Sequence, residues 1–422
     1  QATLSGDWPL NLTLNSDINM DPVKGQKVKL VMQGAAKKQV SLNLNLSGPV
    51  KAQLQAMAQP AVTGLPFSLS LNSSQLRWPL TGQADWLVKN LALNTGGKAT
   101  DYTISLRTSV SGSTIPPADI ALDGKGNTDQ FSLDKLRVSA LQGNVDLHAL
   151  VDWTKAISWN TQLTLSGINT AKQYPDWPAK LDGSMTTRGS LYGGSWQVRV
   201  PSVSLTGNVK QNAVNVKGSL YGNSYNQWNI PGISLLLGQN RLDVKGTLAD
   251  KINLDATIDA SHLNNALPGL GGVVTGAINA RGTLQQPELQ ADLNGRGLRW
   301  QQLSIGSFSL KGNVSSAQQI AGKLALRVSQ LQQAALKISS IVLDASGSEK
   351  QHQLKLTVAG EPVSGQLQLN GSFDRQTQRW QGALSNTRFD TPVGEWRLSK
   401  AVSLDYKNVQ KTITVGTHCW LN

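Results

Sequence analysis

Stretch after stretch of this chain alternates an aliphatic residue with a small polar one. The clearest runs Val40, Ser41, Leu42, Asn43, Leu44, Asn45, Leu46, Ser47 and then turns at Gly48 and Pro49. Side chains of a strand point to opposite faces with a period of two, so this segment predicts a strand with one aliphatic and one polar face. The same writing recurs at Phe67/Leu69/Leu71, Ile104/Leu106, Leu163/Leu165, Ile252/Leu254/Ala256/Ile258, Leu324/Leu326/Val328, Leu354/Leu356/Val358 and Leu367/Leu369. Helical periodicity is nearly absent. Turn residues return about every ten positions, at Gly34, Gly48, Gly64, Gly82, Gly96-Gly97, Gly112, Gly124 and Gly143, which predicts an all-β meander.

A long sheet with one apolar face must cover that face. It can fold onto a second sheet, close into a barrel, or hold something apolar that is not protein. Three stretches break the alternation and predict brief helices or irregular connections: Ile168 to Pro178, His262 to Leu270, and Ser329 to Ala335. The first two belong to an internal repeat. Residues 165–191 and 258–284 align without a gap, matching Pro175 with Pro268, Gly183 with Gly276, Arg188 with Arg281 and Gly189 with Gly282. Leu76-Arg77-Trp78 echoes Leu298-Arg299-Trp300. Repeats that bury a face only against their neighbours build elongated proteins. Pro116-Pro117 reads as a loop rather than a linker, so residues 1–422 are expected to form one continuous trough. At about 12 residues per strand and turn the chain holds roughly 35 strands, and sheets beyond about ten strands curl.

Composition sharpens this picture. Aromatic residues are 5% of the chain, and the 12 Trp outnumber Phe and Tyr taken singly. A two-sheet core uses large rings to fill the space between its layers; here Leu, Val, Ile and Ala dominate the apolar face instead. The Trp residues, among them Trp8, Trp78, Trp86, Trp153, Trp177 and Trp300, stand beside turns or are spread evenly, and fit either the rim of a trough or ordinary turn packing.

The net charge is +13, but the basic residues are scattered, the densest patch being Lys24, Lys27, Lys29, Lys37 and Lys38. Nucleic-acid binders concentrate their charge, so no nucleic-acid partner is expected. A diffuse positive field suits anionic head groups or a simply solvated surface. The single cysteine, Cys419, permits no internal disulfide.

Motifs for chemistry are missing. The histidines His148, His262, His352 and His418 lie far apart; Asp146, His148 and Asp152 share one polar strand face; and Gly124-Lys125-Gly126 and Gly295-Arg296-Gly297 lack the third glycine and following helix of a phosphate loop. No enzyme activity, metal or cofactor is expected. No signal peptide is evident, and the weakly polar stretch Ala266 to Ala280 is too short and too broken to span a membrane. Both ends read as cut from a longer protein.

The stretch from Asp259 to Val314 carries a family likeness. It reads Asp259-Ala260-Ser261-His262-Leu263, Leu267-Pro268-Gly269-Leu270-Gly271-Gly272, Gly282-Thr283-Leu284, Pro287-Glu288-Leu289 and Gly297-Leu298-Arg299-Trp300. With the Leu-alternating repeats elsewhere, it resembles the TamB-like family of the AsmA-like envelope proteins over essentially the whole chain. The resemblance implies a taco-shaped β-sheet with an apolar interior. It also implies a periplasmic location, tethered to the inner membrane by an N-terminal helix outside this sequence. The implied partner is a TamA-like outer-membrane barrel of the Omp85 class, met through a C-terminal part also outside it. Such proteins are implicated in assembling autotransporters and other outer-membrane proteins, and in moving phospholipids to the outer membrane.

The expected function is a hydrophobic conduit for phospholipid acyl chains. The alternative is a chaperone-like scaffold for outer-membrane β-barrel proteins. The expected groove lining is Val40, Leu42, Leu44, Leu46, Phe67, Leu69, Leu71, Ile104, Leu106, Leu163, Leu165, Ile252, Leu254, Ile258, Leu324, Leu326, Val328, Leu354, Leu356, Val358, Leu367 and Leu369.

Overall fold

The computed structural model describes all residues except 1, 6–9, 19–23, 36, 81, 267–268 and 317–318, and only the backbone of 2–5, 10 and 11. Trp8, Leu267 and Pro268 lie outside the described residues. Among those described, the chain forms thirty strands and a single three-residue 3-10 turn. It divides into two units, residues 1–211 and 212–422.

The first unit holds β1 (Ala2–Ser5), β2 (Leu10–Ile18), β3 (Gln26–Gly34), β4 (Val40–Ser47), β5 (Lys51–Ala58), β6 (Phe67–Trp78), β7 (Trp86–Lys98), β8 (Asp101–Gly112), β9 (Ala118–Gly126), β10 (Gln130–Ala140), β11 (Gly143–Asp152), β12 (Ile157–Asn169), β13 (Ala179–Tyr192) and β14 (Ser195–Val209). Each pairs antiparallel with its neighbours in the chain.

The second unit holds β15 (Asn212–Asn223), β16 (Trp228–Leu237), β17 (Asn240–Leu248), β18 (Ile252–Ala260), β19 (Leu270–Gly282), β20 (Pro287–Trp300), β21 (Leu303–Ser315), β22 (Ala321–Gln333), β23 (Leu336–Ser348), β24 (His352–Glu361), β25 (Ser364–Asp374), β26 (Arg379–Thr391), β27 (Gly394–Leu398), β28 (Val402–Lys407), β29 (Thr412–Val415) and β30 (Trp420–Leu421). It is also a meander until β26, which forks: Arg388–Thr391 pairs with β27 and Arg379–Leu384 with β28. Among the described residues no pairing joins the first strand of either unit to its last, so neither closes into a barrel.

Fewer strands form than the roughly 35 expected, because the strands run long, to 15 residues in β14. Their ladders are interrupted by register shifts, for example at Lys89/Ala92, Leu133/Leu136 and Leu165/Ile168 in the first unit and at Gly271/Val273 and Gln366/Gln368 in the second. An extra residue on one strand bends it and increases its twist. Asn90, Gly167 and Asn386, at φ of 52°, 62° and 47°, are the left-handed residues that absorb three of these bulges.

The three breaks in the alternation fare differently. Residues 170–178 are a run of turns, closed by Thr170, whose hydroxyl donates to the Trp177 carbonyl at 2.7 Å while its oxygen accepts from the Ala179 amide at 2.8 Å. Leu263–Asn265 is the 3-10 turn. Asn240 braces it, donating to the carbonyls of Leu237 and His262 and accepting from the His262 amide. The third expectation is corrected: β22 runs on to Gln333, paired on both sides. Only the phase of its alternation changes, at Gln330, where φ is 52°.

Whether the apolar face is covered is answered by surface area. The chain exposes 25,715 Å². A compact protein of 45.2 kDa exposes about 16,000 Å², and two compact bodies of half that mass about 19,000 Å². Only nine hydrophobic residues are buried among those described, including Leu133, Ile168, Ile338 and Val402. A sandwich would bury an alternating row from every inner strand. These sheets are open.

Candidate functional site

Directly opposed residues of an antiparallel pair share a face, so register alone shows what each face carries. In the first unit one row runs Leu14, Leu30, Leu44, Leu54, Leu71, Leu93, Leu106, Leu122, Leu136, Leu147, Leu163, Met185, Val203, each residue directly opposite the next. Every position from β2 to β14 is aliphatic. The second unit repeats the device from β15 to β25: Val216, Leu235, Leu242, Ile258, Gly276, Leu293, Leu310, Leu326, Leu343, Leu356, Leu367. Gly276 is its one gap.

All the residues expected to line a groove fall on these faces. Val40, Leu42, Leu44, Leu46, Phe67, Leu69, Leu71, Ile104, Leu106, Leu163 and Leu165 share the face of the first row. Ile252, Leu254, Ile258, Leu324, Leu326, Val328, Leu354, Leu356, Val358, Leu367 and Leu369 share that of the second. Ile252 is buried and Leu324 exposed; the others lie between. Missed from sequence were Leu30, Leu54, Leu93, Leu136, Leu147, Leu235, Leu293 and Leu343. Several lie where a bulge shifts the alternation by one, as in Phe131-x-Leu133 followed by Leu136-x-Val138; that slip is the signal that could have found them.

The aromatics follow a rule the sequence did not suggest. Phe67 stands opposite Gly97, Phe131 opposite Gly126, Trp159 opposite Gly189, Trp228 opposite Gly222, Phe308 opposite Gly295 and Phe389 opposite Gly365. A Cβ on Gly189 would come within 2.1 Å of the Trp159 ring, and one on Gly295 within 2.1 Å of Phe308. The rings of Trp159, Trp228, Phe308 and Phe389 lie over the neighbouring strand where these glycines leave room, while the Phe131 ring lies over Gly124 and the Tyr102 ring over Gly126; each protects a weak strand position. Trp78, Trp86, Trp153, Trp177 and Trp300 are instead exposed near strand ends. Both sequence readings of Trp therefore miss this third, ring-on-glycine group.

An apolar groove of about 710 Å³ lies over β19 to β25. Its floor includes Ala291, Gly312 and Ala345; Ile278, Leu289, Val314, Ile320 and Leu324 rise around it, each 38–47% exposed.

Residues 1–422 match the family described as TamB, N-terminal domain. The chain belongs to the TamB family. The translocation and assembly module subunit TamB of Haemophilus influenzae is 30% identical over 430 residues, which cover 99% of this chain and 33% of that protein. Two uncharacterized proteins of Buchnera aphidicola are 20% and 21% identical, over 96% and 83% of this chain and 41% and 34% of their own. The chain thus spans about a third to two fifths of the length of these curated relatives. No solved structure matches.

In this TamB-family chain the opposite face carries the charge. Arg107 lays its guanidinium across two strands, donating to the carbonyls of Leu106 and Leu122 and to both carboxylate oxygens of Asp123. Arg327 does the same with Leu326, Leu343 and Asp344, and Arg281 with Ala280, Leu254 and Asp255. The Arg281 and Asn279 hydrogen bonds hold the Asp255 carboxyl below its ordinary pKa; Arg137 and Arg379 do so for Asp146 and Asp405. These clasps tie adjacent strands from outside and keep charge off the apolar face.

The TamB-family repeat can be read in the same terms. Gly183 and Gly276 sit opposite Leu165 and Ile258, equivalent positions in the two copies. Arg281 reaches Asp255, but Arg188 stands opposite Asn160 and Arg199, so the ion pair is not part of the repeat. Asp146 and His148 share the polar face of β11 as expected, with Asp146 engaged by Arg137. Both Gly-x-Gly pieces lie inside strands, β9 and β20. Cys419 is exposed. No helix among the described residues is long and apolar enough to cross a membrane.

Proposed function

We propose that the apolar faces of this chain conduct phospholipid acyl chains between the inner and outer membranes, as a periplasmic part of a translocation and assembly module. The observation that carries this reading is the unbroken aliphatic row from Leu14 to Val203, left uncovered by protein. Taking an acyl chain out of water yields about 0.8 kcal/mol per methylene, so even partial shielding holds a lipid. Successive rows of similar residues let it advance without deep traps. No side chain is asked to do chemistry. Tethering to the inner membrane and contact with a TamA-like outer-membrane barrel belong to the parts of such a protein outside this chain.

The test is photo-crosslinking in living cells from a probe residue at Leu44, Leu163 or Leu326, with Asn43, Thr164 and Ala325 as neighbours of opposite face. Phospholipid adducts at the first set alone support the conduit. Their absence from that set sinks it. A second reading, a scaffold for outer-membrane β-barrel strands, draws support from the H. influenzae relative's description as a translocation and assembly module subunit. It predicts adducts to nascent protein at the same positions.

A further inference from the structure

The basic residues are scattered along the sequence, but the acidic ones are not, and their absence from one stretch leaves a cationic field in the first unit. Residues 24–100 carry nine lysines and arginines and a single carboxylate, Asp85, so this stretch supplies +8 of the chain's net +13. Strands β3 to β7 contain no Asp or Glu at all. Register decides which face the cations take. Lys27 and Lys29 stand opposite Ser47 and Asn45, Lys51 opposite Gln75, and Gln75 opposite Lys89; Lys98 lies two positions beyond Gly96, the partner of Ser68. All five are on the side away from the row Leu30, Leu44, Leu54, Leu71, Leu93, and all five are exposed. Lys24, Lys37 and Lys38, in the turns that flank β3, are exposed as well.

From β8 onward carboxylates are interspersed with the cations and engage several of them. Arg107–Asp123 is the first ion pair along the chain among the described residues, and every other lies beyond it. Before it, Asp17 opposite Lys27 and Asp101 opposite Lys98 border the field, and neither closes an ion pair. Arg77, on the same face, donates to the Gly82 carbonyl. Between the lysines stand amides and hydroxyls, those of Asn43, Asn45, Gln53, Gln55, Ser70 and Asn72. Among the described residues Met57 is the one exposed large apolar side chain that register places on this face. A protein–protein interface sets an apolar centre inside a polar rim, and this face offers no such centre.

We propose that the polar face of β3–β7 docks on a membrane surface rich in anionic phospholipid head groups. Charge complementarity carries the assignment. Five strands spaced about 4.8 Å apart spread these ammonium groups over a width of about 20 Å, and a layer of phosphates meets all of them at once without a matching shape. A single small anion would engage one or two lysines and leave the rest. An acidic protein segment would meet the same charge but would find no apolar or aromatic anchor. The lysines and the aliphatic row are on opposite faces of the same strands, so this contact leaves the apolar face free and does not depend on the conduit reading.

The test is flotation of the 422-residue chain with vesicles of phosphatidylcholine alone and of phosphatidylcholine mixed with phosphatidylglycerol. Partition onto the anionic vesicles should exceed that onto the neutral ones by at least about tenfold at low salt. It should fall towards the neutral value as salt shortens the screening length from about 30 Å at 0.01 M to about 3 Å at 1 M. The combined variant Lys27→Gln, Lys29→Gln, Lys51→Gln, Lys89→Gln and Lys98→Gln should lose most of the preference, about fivefold for each lysine in contact, and the same five Lys→Arg replacements should keep it. A second combined variant removes equal charge from exposed lysines of the second unit, Lys217→Gln, Lys245→Gln, Lys323→Gln, Lys337→Gln and Lys355→Gln, and should keep most of it. Circular dichroism checks that both Gln variants retain their strands. Equal partition onto the two kinds of vesicle, or equal losses in the two Gln variants, overturns the docking face and leaves the conduit standing. Retention on soluble polyglutamate without flotation on anionic vesicles also overturns it, and gives the face to an acidic protein.

Discussion

Replacing Leu326 by Arg separates an open apolar face from a covered core. Leu326 stands between Leu310 and Leu343 in the central row of the second unit and is neither buried nor exposed. Burying a leucine fully is worth about 1.5–3 kcal/mol, so a half-buried one loses about 1 kcal/mol on substitution. The arginine stem recovers part of that by lying along its neighbours with its guanidinium in water. Ile338 is the control: it is 6% exposed, and an arginine there has no route to solvent, which costs at least about 3–5 kcal/mol. Urea titration followed by far-ultraviolet circular dichroism should therefore show Leu326→Arg close to the parent and Ile338→Arg largely unfolded. Transport should show the reverse emphasis. A guanidinium beside the path costs a passing acyl chain the shielding of two or three methylenes, about 2 kcal/mol, or about thirtyfold in rate. A loss of stability in Leu326→Arg equal to that of Ile338→Arg would refute the reasoning, because the row would then have to be covered.

Three further outcomes are expected. Gly276→Ala should destabilise the second unit by about 2–3 kcal/mol in thermal melts, since φ is 149° and the new Cβ would lie 2.0 Å from the Asp292 carbonyl oxygen, a backbone atom that cannot step aside; an unchanged melt counts against the register given for β19 and β20. Gly189→Val should displace the Trp159 ring and cost about 1–3 kcal/mol, and adding Trp159→Ala should recover part of the loss; additive losses would mean that ring and glycine do not interact. The carboxyls of Asp146, Asp255 and Asp405 titrate below their usual range because arginines bond to them in the folded state. Their contribution is therefore fully present above the ordinary carboxylate pKa of about 4 and is lost as pH falls through the lowered folded values. Stability measured from pH 6 down to pH 2 should fall, and less steeply in Asp255→Asn; an identical slope in that variant would contradict the clasp.

Strand and face were written locally. The run Val40 to Ser47 alternates without a fault, a period of two is a property of neighbouring residues, and the structure places its four aliphatic side chains on one face. The same holds for Leu324 to Val328 and Leu354 to Val358. The slips were harder to see. A bulge is a difference in residue count between two strands, so Lys89/Ala92 exists only in the pairing of β7 with β8, and Gln330 reads as a broken strand until β21 and β23 are seen to pair straight past it. The rings over glycine are likewise invisible along the chain, because Trp159 and Gly189 are 30 positions apart and meet only through the register of β12 on β13.

Alternation by itself determined that this protein is a succession of two-faced strands, because the direction of each side chain is decided by the backbone of its own strand. It could not determine whether the aliphatic face meets another sheet, since a covered and an uncovered strand are written alike. Tertiary structure decided that: up to β26 the strands within each unit pair with their chain neighbours, among the described residues no second layer covers either unit's row, and the leucines stay half in solvent. It also decided where that face is grooved. Ala291, Gly312 and Ala345 are unremarkable at their own positions and make a groove only because three ladders set them side by side.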